Sequence, residues 1–552
     1  MRATLKFIIT SFLFACSFCS ISQTIPVGTP LQEETWRRLQ MSGVLDSNTS
    51  LTIRPINYTS ISVNDSGNHV FNVLTVRNNS HSFFFARGAG KGLFLPVMLK
   101  QQYNSHHPYG WNDGSMIQAR GYQGQLSFGL YSTIGPLSIQ FQPELVYAQN
   151  RNFSTFPSTY SDSIWKSYYY FLNHFDNPEK YGKGAYAKLF PGQSSIRFNY
   201  RKLSLGVSSE DLWWGPGIRN SLIMSNNATG FQHITFNTVS PVSSPVGSFE
   251  WQAVSGILKS SGIFPDDTAH TYEGHRLYSA KVNDDRYFNG MVITWQPKWT
   301  TGLFLGMSRV FVQYESELGH SFSRYLPIVT KLFKGGNVAR EDSIKKNQLL
   351  SIFFRLILPK EKAELYAEYG RNDHAANLRD LILEPEHSRA YIIGFRKLFE
   401  TKKGKDVELF TEISNLQVPP TITVRPQGSW YTHDRIGQGY TNRGQVIGAG
   451  IGPGSNSQSI GLNWIKETDK FGVMLERVVW NNDFYFDAFA PLQNYGRHWV
   501  DVSLNLNKSW HRKHFIYNAD LSLIRSLNYQ WRSGEGKDVN NIHAGFSVSY
   551  LF

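Results

Sequence analysis

The 552-residue chain has 55 Lys plus Arg against 42 Asp plus Glu, a net charge of +13, with 14% aromatic and only 18% charged residues. So much aromatic surface with so little charge excludes a disordered chain, because burial can offset chain entropy. Beyond the N-terminus no apolar run approaches the ~18 uncharged residues of a spanning helix, which excludes a polytopic helical membrane protein; the longest runs, such as Leu93 to Leu99 and Ile352 to Leu358, are strand-sized.

The first residues read as an export address. Arg2 and Lys6 precede an apolar stretch from Phe7 to Phe18, and Ser20-Ile21-Ser22 offers the small-x-small pattern of a cleavage site. Residues 1–22 are therefore expected to be a signal peptide, with the mature chain starting near Gln23. Cys16 and Cys19, the two cysteines of the chain, leave with it, so no disulfide, thiolate metal site or cysteine nucleophile is expected. Losing Arg2 and Lys6 takes the charge from +13 to +11. That excess suits a polyanion, and for an exported chain an acidic polysaccharide or an anionic lipid headgroup is a better partner than nucleic acid.

A short amphipathic helix comes next. Thr29-Pro30-Leu31-Gln32 reads as N-cap, first-position Pro and capping-box Gln, with Glu33 and Glu34 at the start, Arg37 and Arg38 near the end and Gly43 as the stop. Residues 23–82 are read as this helical, periplasmic segment with its lead-in, and 83–552 as one large β-architecture. From about Phe83 the dominant period is two. Leu137, Ile139, Phe141 and Leu145 alternate with polar residues, as do Val500, Val502, Leu504 and Leu506 with Asp501, Ser503, Asn505 and Asn507. A dozen such segments have the ~9–11 residues of a tilted membrane-spanning strand. Short turns such as Ile134-Gly135-Pro136 and Glu467-Thr468-Asp469 join several of them.

Alternation by itself fits a soluble sandwich or a membrane barrel. The export signal, the Ser/Asn/Gln/Asp-rich polar faces and the aromatics at segment ends, among them Trp111, Tyr131, Tyr147, Trp165, Trp295, Trp299, Trp480, Trp499, Trp510 and Trp531, favour an antiparallel transmembrane β-barrel with two interfacial girdles. The last strand alternates Ala544, Phe546, Val548, Tyr550 and Phe552 with smaller residues and stops on an aromatic. Such a strand must pair with the first to abolish the edges. Phe171 to Pro191 and Phe322 to Asn347 lack alternation and read as loops with short helices.

No G-x-S-x-G, H-E-x-x-H or Walker-type loop occurs, and Gly448 to Gly454 has Pro453 where a dinucleotide loop needs glycine. No catalytic residue, metal or cofactor is expected. The informative run is Glu210-Asp211-Leu212-Trp213-Trp214-Gly215-Pro216-Gly217-Ile218-Arg219-Asn220, continuing to Asn226-Asn227. These residues allow two readings. One is a turn between strands; the other is a sugar-contact surface, where Trp faces stack on pyranose rings while Arg, Asn and Glu meet hydroxyls and carboxylates.

The stretch Glu210 to Asn227 resembles the signature of the Wzi capsule-assembly family of outer-membrane proteins. Gly43-Val44-Leu45 and Arg54-Pro55 after the leading helix, and Gly439-Tyr440-Thr441-Asn442-Arg443-Gly444 continuing to Gly452-Pro453, are similar to further pieces of that family. The resemblance implies an 18-stranded barrel with a helical bundle at its periplasmic side, acting as a non-catalytic surface lectin that holds capsular or exopolysaccharide. It places Glu210, Trp213, Trp214, Gly215, Pro216, Gly217, Arg219, Asn220, Asn226 and Asn227 in a polysaccharide-binding or signature role. The expected partners are an acidic capsular or exopolysaccharide and outer-membrane lipid, with the protein a monomer. The alternative from charge and a polar lumen is an outer-membrane channel for an anionic solute.

Overall fold

The structure, a computed structural model, describes residues 24–57, 60, 82–318, 346–372, 378–401, 405–419, 427–534 and 536–552. The signal-peptide reading and nearly all of the stretch from Phe322 to Asn347 lie outside the described residues.

Eighteen antiparallel strands close into one barrel. They are β1 (Gly90–Asn104), β2 (Gly121–Ile134), β3 (Leu137–Phe141 and Glu144–Ala148), β4 (Tyr186–Phe190 and Ser195–Tyr200), β5 (Leu203–Ser208), β6 (His233–Thr238, then Val242–Ser244), β7 (Gly247–Leu258), β8 (Arg286–Pro297) and β9 (Leu303–Tyr314). The second half is β10 (Asn347–Leu358), β11 (Ala363–Asn372), β12 (Arg389–Glu400), β13 (Asp406–Asn415), β14 (Asn456–Lys466), β15 (Asp469–Val479), β16 (Val500–Arg512), β17 (Phe515–Leu527) and β18 (Val539–Tyr550). Each strand pairs with the next, and β18 closes on β1 from His543↔Asn104 to Tyr550↔Val97. Pro96 has no N–H to give, and β1 shifts register against β2 there, between Leu95 and Met98. Pro143 likewise splits β3.

Strand faces follow the period of two. Val502 is 45% exposed on the outside while Asp501 and Ser503 are buried inside. Ile460, Leu462, Leu475, Leu521 and Leu523 extend the outer apolar band. With the first and last strands paired and an apolar outside, the architecture suits a bilayer. The short turns, such as Lys513–His514, share one end with the C-terminus; the long connections gather at the other. In membrane barrels these are the periplasmic and outer ends.

Helix α1 (Pro30–Met41) lies within the barrel at the turn end, and it is a single helix among the described residues rather than a bundle. Thr29 holds the N-cap position, but its hydroxyl donates to the Pro26 carbonyl (2.9 Å) rather than capping the helix. Gly43 ends it at φ +76°. Trp36 packs with Ile25, Leu45, Leu51 and Ile56. The helix charges reach the wall: Arg37 to Glu364, Glu34 to Lys470 (2.5 Å) and Arg38 to Glu408 (3.9 Å). A helix with charge on several faces sits in a lumen because the inward strand positions carry opposite charge.

Other helices fall in connections: α2 (Asp162–Asn173), α3 (Leu378–Leu383) and α4 (Asn482–Ala488). The aromatic girdle holds at the turn end, where Trp299 is 71% exposed and Trp464 and Trp510 stack on Phe471 and Tyr517. At the loop end Tyr147, Tyr103 and Tyr122 stay on the outside, but Trp111, Trp480, Trp499 and Trp531 turn inward. Folded-in loops there offer them a drier partner than the interface.

Candidate functional site

After Ser208 the chain leaves the wall, crosses the lumen and returns at His233. This crossing is the Glu210–Asn227 run. Glu210 accepts hydrogen bonds from Arg197 (2.5 Å), Ser208 (2.7 Å) and the Thr24 hydroxyl. Burial by itself would raise the Glu210 carboxyl, but Arg197 and the two hydroxyls hold it below the ordinary carboxylate range. Trp213 and Trp214 pair as a short ladder with Arg54 and Ile53 of the N-terminal segment. The Arg54 guanidinium lies 4.9 Å over the Trp213 ring, and Trp214 Nε1 donates to Gln252 Oε1 (2.7 Å).

Gly215-Pro216-Gly217 then makes a turn that no larger residue could make. Gly215 has φ +122°, and a Cβ on Gly217 would sit 1.9 Å from the Asn220 carbonyl oxygen. The turn aims three successive N–H groups, those of Ile218, Arg219 and Asn220, at the Glu412 carboxylate (2.7 to 3.2 Å). Arg219 grips Glu476 through Nε (3.1 Å) and Nη2 (2.9 Å) and covers the Trp111 ring at 4.9 Å. The Leu222 and Ile223 carbonyls accept from Tyr431 (2.8 Å) and Tyr440 (2.9 Å), and the Asn226 and Asn227 amides donate to the Asn112 and Val446 carbonyls.

The ten signature residues thus come together as one buried brace joining the N-terminal segment, the wall and the inward-folded loop that carries Tyr431 to Ile451. Glu210, Trp213, Trp214 and Asn220 are each at most 2% exposed. None stands at the loop-end surface. Trp213, Ile218, Arg219 and Asn226 do line a cavity of about 450 Å3 that enters from the turn end between α1 and strands β16 to β18.

A second cavity, about 220 Å3, lies on the outer side of the brace. Its walls are aromatic: Trp480, Trp499, Tyr529 and Trp531, with Tyr168 of α2 and His107. Trp480 and Trp499 each donate an indole N–H to Asp501 (2.9 and 3.1 Å), and the His107 and Tyr529 rings lie 4.4 Å apart. Glu179 accepts from Gln530 (3.1 Å), and burial raises its carboxyl above the usual range. Trp111, lining the inner cavity, meets Trp480, lining the outer one, edge to face at 6.2 Å. Reading the sequence missed this cluster because the same tryptophans flank strand ends and read as girdle residues; their concentration beside long connections was the available signal.

Several inward cations meet a carboxylate, while Arg286 donates to the Gly439 and Lys259 carbonyls and Arg309 to Gln348. Arg355 pairs with Glu364, Arg396 with Glu408, Arg54 with Glu33, Lys100 with Asp113, and Arg197 and Arg219 as described. A ladder of bare positive charge, which an anion channel needs, is not what these residues form.

Fold and lumen together define a braced membrane β-barrel of the outer-membrane kind. The family model for the capsule assembly protein Wzi matches residues 100–529, and the chain belongs to that family. Among solved structures it is similar to Wzi of Escherichia coli, described as an outer membrane protein involved in group 1 capsule assembly and a carbohydrate-binding β-barrel, at 14% identity and a TM-score of 0.63, covering 96% of this chain and 100% of that one. Two Acinetobacter baumannii proteins, OccAB2 and OccAB3, align less well, at 10% and 11% identity, a TM-score of 0.40 each, 82% and 84% of this chain and 97% and 99% of theirs. No curated protein matches the chain.

Proposed function

We propose that this protein is a monomeric outer-membrane lectin that holds an acidic capsular or exopolysaccharide on the cell surface without cleaving it. The observation that carries the reading is the aromatic-walled cavity at the loop end, set on a lumen that is braced rather than open. Sugar rings stack on Trp480, Trp499 and Tyr529, each contact contributing about 0.5–1.5 kcal/mol, and repetition along a polymer turns weak contacts into avidity. Exposed Arg151, Lys166 and Arg435 on the outer connections meet anionic groups of the polymer. The signature residues serve as the brace that holds this surface in shape. The carboxylates nearest the cavity support a non-catalytic role, since Asp501 is committed to two indole N–H groups and Glu179 to Gln530 and the Phe156 N–H. The carbohydrate binding described for the Escherichia coli protein, a member of the same family, agrees with this reading.

The test is a deletion strain scored for cell-bound against released polysaccharide. Polymer moves into the medium while synthesis and export continue; unchanged retention, or loss of synthesis itself, would overturn the proposal. Planar-bilayer recordings address the channel alternative, and large stable conductance steps would favour it.

A further inference from the structure

Among the described residues, no ladder joins the outer half of β4 to the end of β7. Tyr186–Phe190 pairs with Glu144–Ala148 on one side and with no strand on the other, because β5 leaves the wall at Ser208 and β6 joins it only at His233. The tip of a hairpin, Thr441–Asn442 against Gln445–Val446, reaches into the notch without pairing with Tyr186–Phe190. The Arg443 N–H donates to the Lys259 carbonyl at the end of β7 (2.7 Å), and Tyr181 donates to the Gly444 carbonyl (2.8 Å). This is the Gly439–Gly444 motif, whose Tyr440 bonds to the lumen brace while Arg443 and Gly444 reach the wall.

Two cations border the notch. Lys188 Nζ lies 5.1 Å over the Tyr186 ring and the Arg443 guanidinium 5.7 Å over the Phe190 ring. Tyr186, Lys188 and Phe190 alternate on the inward strand face, opposite Ala148, Val146 and Glu144, and the Arg443 charge acts on Lys188 across the notch. Among the described residues neither has a carboxylate partner, unlike the lumen cations paired with carboxylates above. Exposed Lys183 follows on the connection just above. Next to them Leu189 is 72% exposed on the outer face, with Leu145 and Tyr147 on the neighbouring strand, which sets the notch at the level of membrane lipid.

We propose that this notch binds the phosphorylated headgroup of an outer-leaflet glycolipid. Lys188 and Arg443 pair with the phosphate, for which a guanidinium offers matched donors. The unpaired edge of Tyr186–Phe190 bonds to headgroup hydroxyls. A backbone edge facing a bilayer must find polar partners, which acyl chains cannot supply and a sugar headgroup can. A docked polypeptide strand would satisfy the edge too, but not two adjacent cations. This site is independent of polymer retention.

The full-length protein in detergent is given a bis-phosphorylated acyl-glucosamine disaccharide lipid or its dephosphorylated form, and bound lipid is counted by native mass spectrometry. The wild type retains the phosphorylated lipid and loses about fivefold or more of the occupancy with the dephosphorylated one. K188Q/R443N loses the same preference; Asn tolerates the left-handed φ of +52° at position 443. K188R/R443K keeps it. Equal retention of both lipids by the wild type, which needs no variant to fold, overturns the proposal. So does displacement by equimolar inorganic phosphate, which would mark a free-phosphate site, or a Leu189→Cys cross-link that captures a polypeptide instead of lipid.

Discussion

Arg219, in the segment that crosses the lumen, holds Glu476 of β15 through two nitrogens, at 2.9 and 3.1 Å. The Glu476 side chain is 1% exposed, and the Arg219 backbone N–H is already given to Glu412 of β13. One residue therefore ties the brace to two strands, with its charged head to one and its main chain to the other.

Removing Arg219 leaves Glu476 buried and unpaired. Arg219→Ala should destabilise the barrel by about 3–5 kcal/mol, and Arg219→Lys by less, because a single ammonium replaces a two-pronged contact. Glu412→Ala should cost a similar amount by orphaning three N–H groups, and Glu412→Gln less. Heat-modifiable mobility on gels and urea midpoints give the ranking; an Arg219→Ala protein as stable as wild type would reject the role of the brace.

Val502→Arg places a charge on the lipid face and should cost ~2–4 kcal/mol near the midplane. Alternation alone makes the neighbouring Ser503 look permissive. The structure reverses that expectation, because Ser503 is 3% exposed in a filled part of the lumen and Arg there would overpack it. Ser549, which lines the 450 Å3 cavity, is the inward position where Arg should be mild. Urea titration in vesicles separates the three.

His107 is buried against Tyr529, and burial, with His106 adding to it, pushes its pKa down from 6.5 to about 3. A base with a depressed folded pKa contributes stability that is complete above 6.5 and is lost as pH falls toward 3. The expected slope below 6.5 is about 1.4 kcal/mol per pH unit. Hydrogen exchange of the outer connections at pH 7 and pH 5 measures it, and His107→Gln should flatten the difference.

Trp499→Ala should lower polymer retention several-fold with the barrel intact, and Trp499→Phe less, because stacking survives while the bond to Asp501 is lost. Cell-bound polysaccharide at equal surface levels is the measurement. No change in the Ala variant would move the binding surface elsewhere.

Phe552 contacts Phe94 of β1 at 5.4 Å across the seam where β18 meets β1, and Tyr550 at the end of β18 at 5.1 Å. Its deletion should reduce membrane insertion and leave polymer binding per folded molecule unchanged. Surface labelling against total protein tests this, and normal surface levels would contradict it.

Alternation is a local property, and it was enough to determine strands such as Val500 to Leu506 and their faces, since a one-residue slip would put Asp501 into lipid. The leading helix was equally legible from Pro30, its charges and Gly43, and the resemblance of Trp213 to Asn227 located the family. What lies inside the lumen was not legible. That α1 enters the barrel depends on Glu364, Glu408 and Lys470, which are distant in sequence and meet it only after closure. That Trp213 and Trp214 are internal depends on Arg54 and Gln252 in the same way. A tryptophan beside a strand end has the same local sequence whether it faces lipid, like Trp299, or a folded-in loop, like Trp499. Only the tertiary structure decides, because burial is set by which long connections fold back over the barrel, and no local period records that.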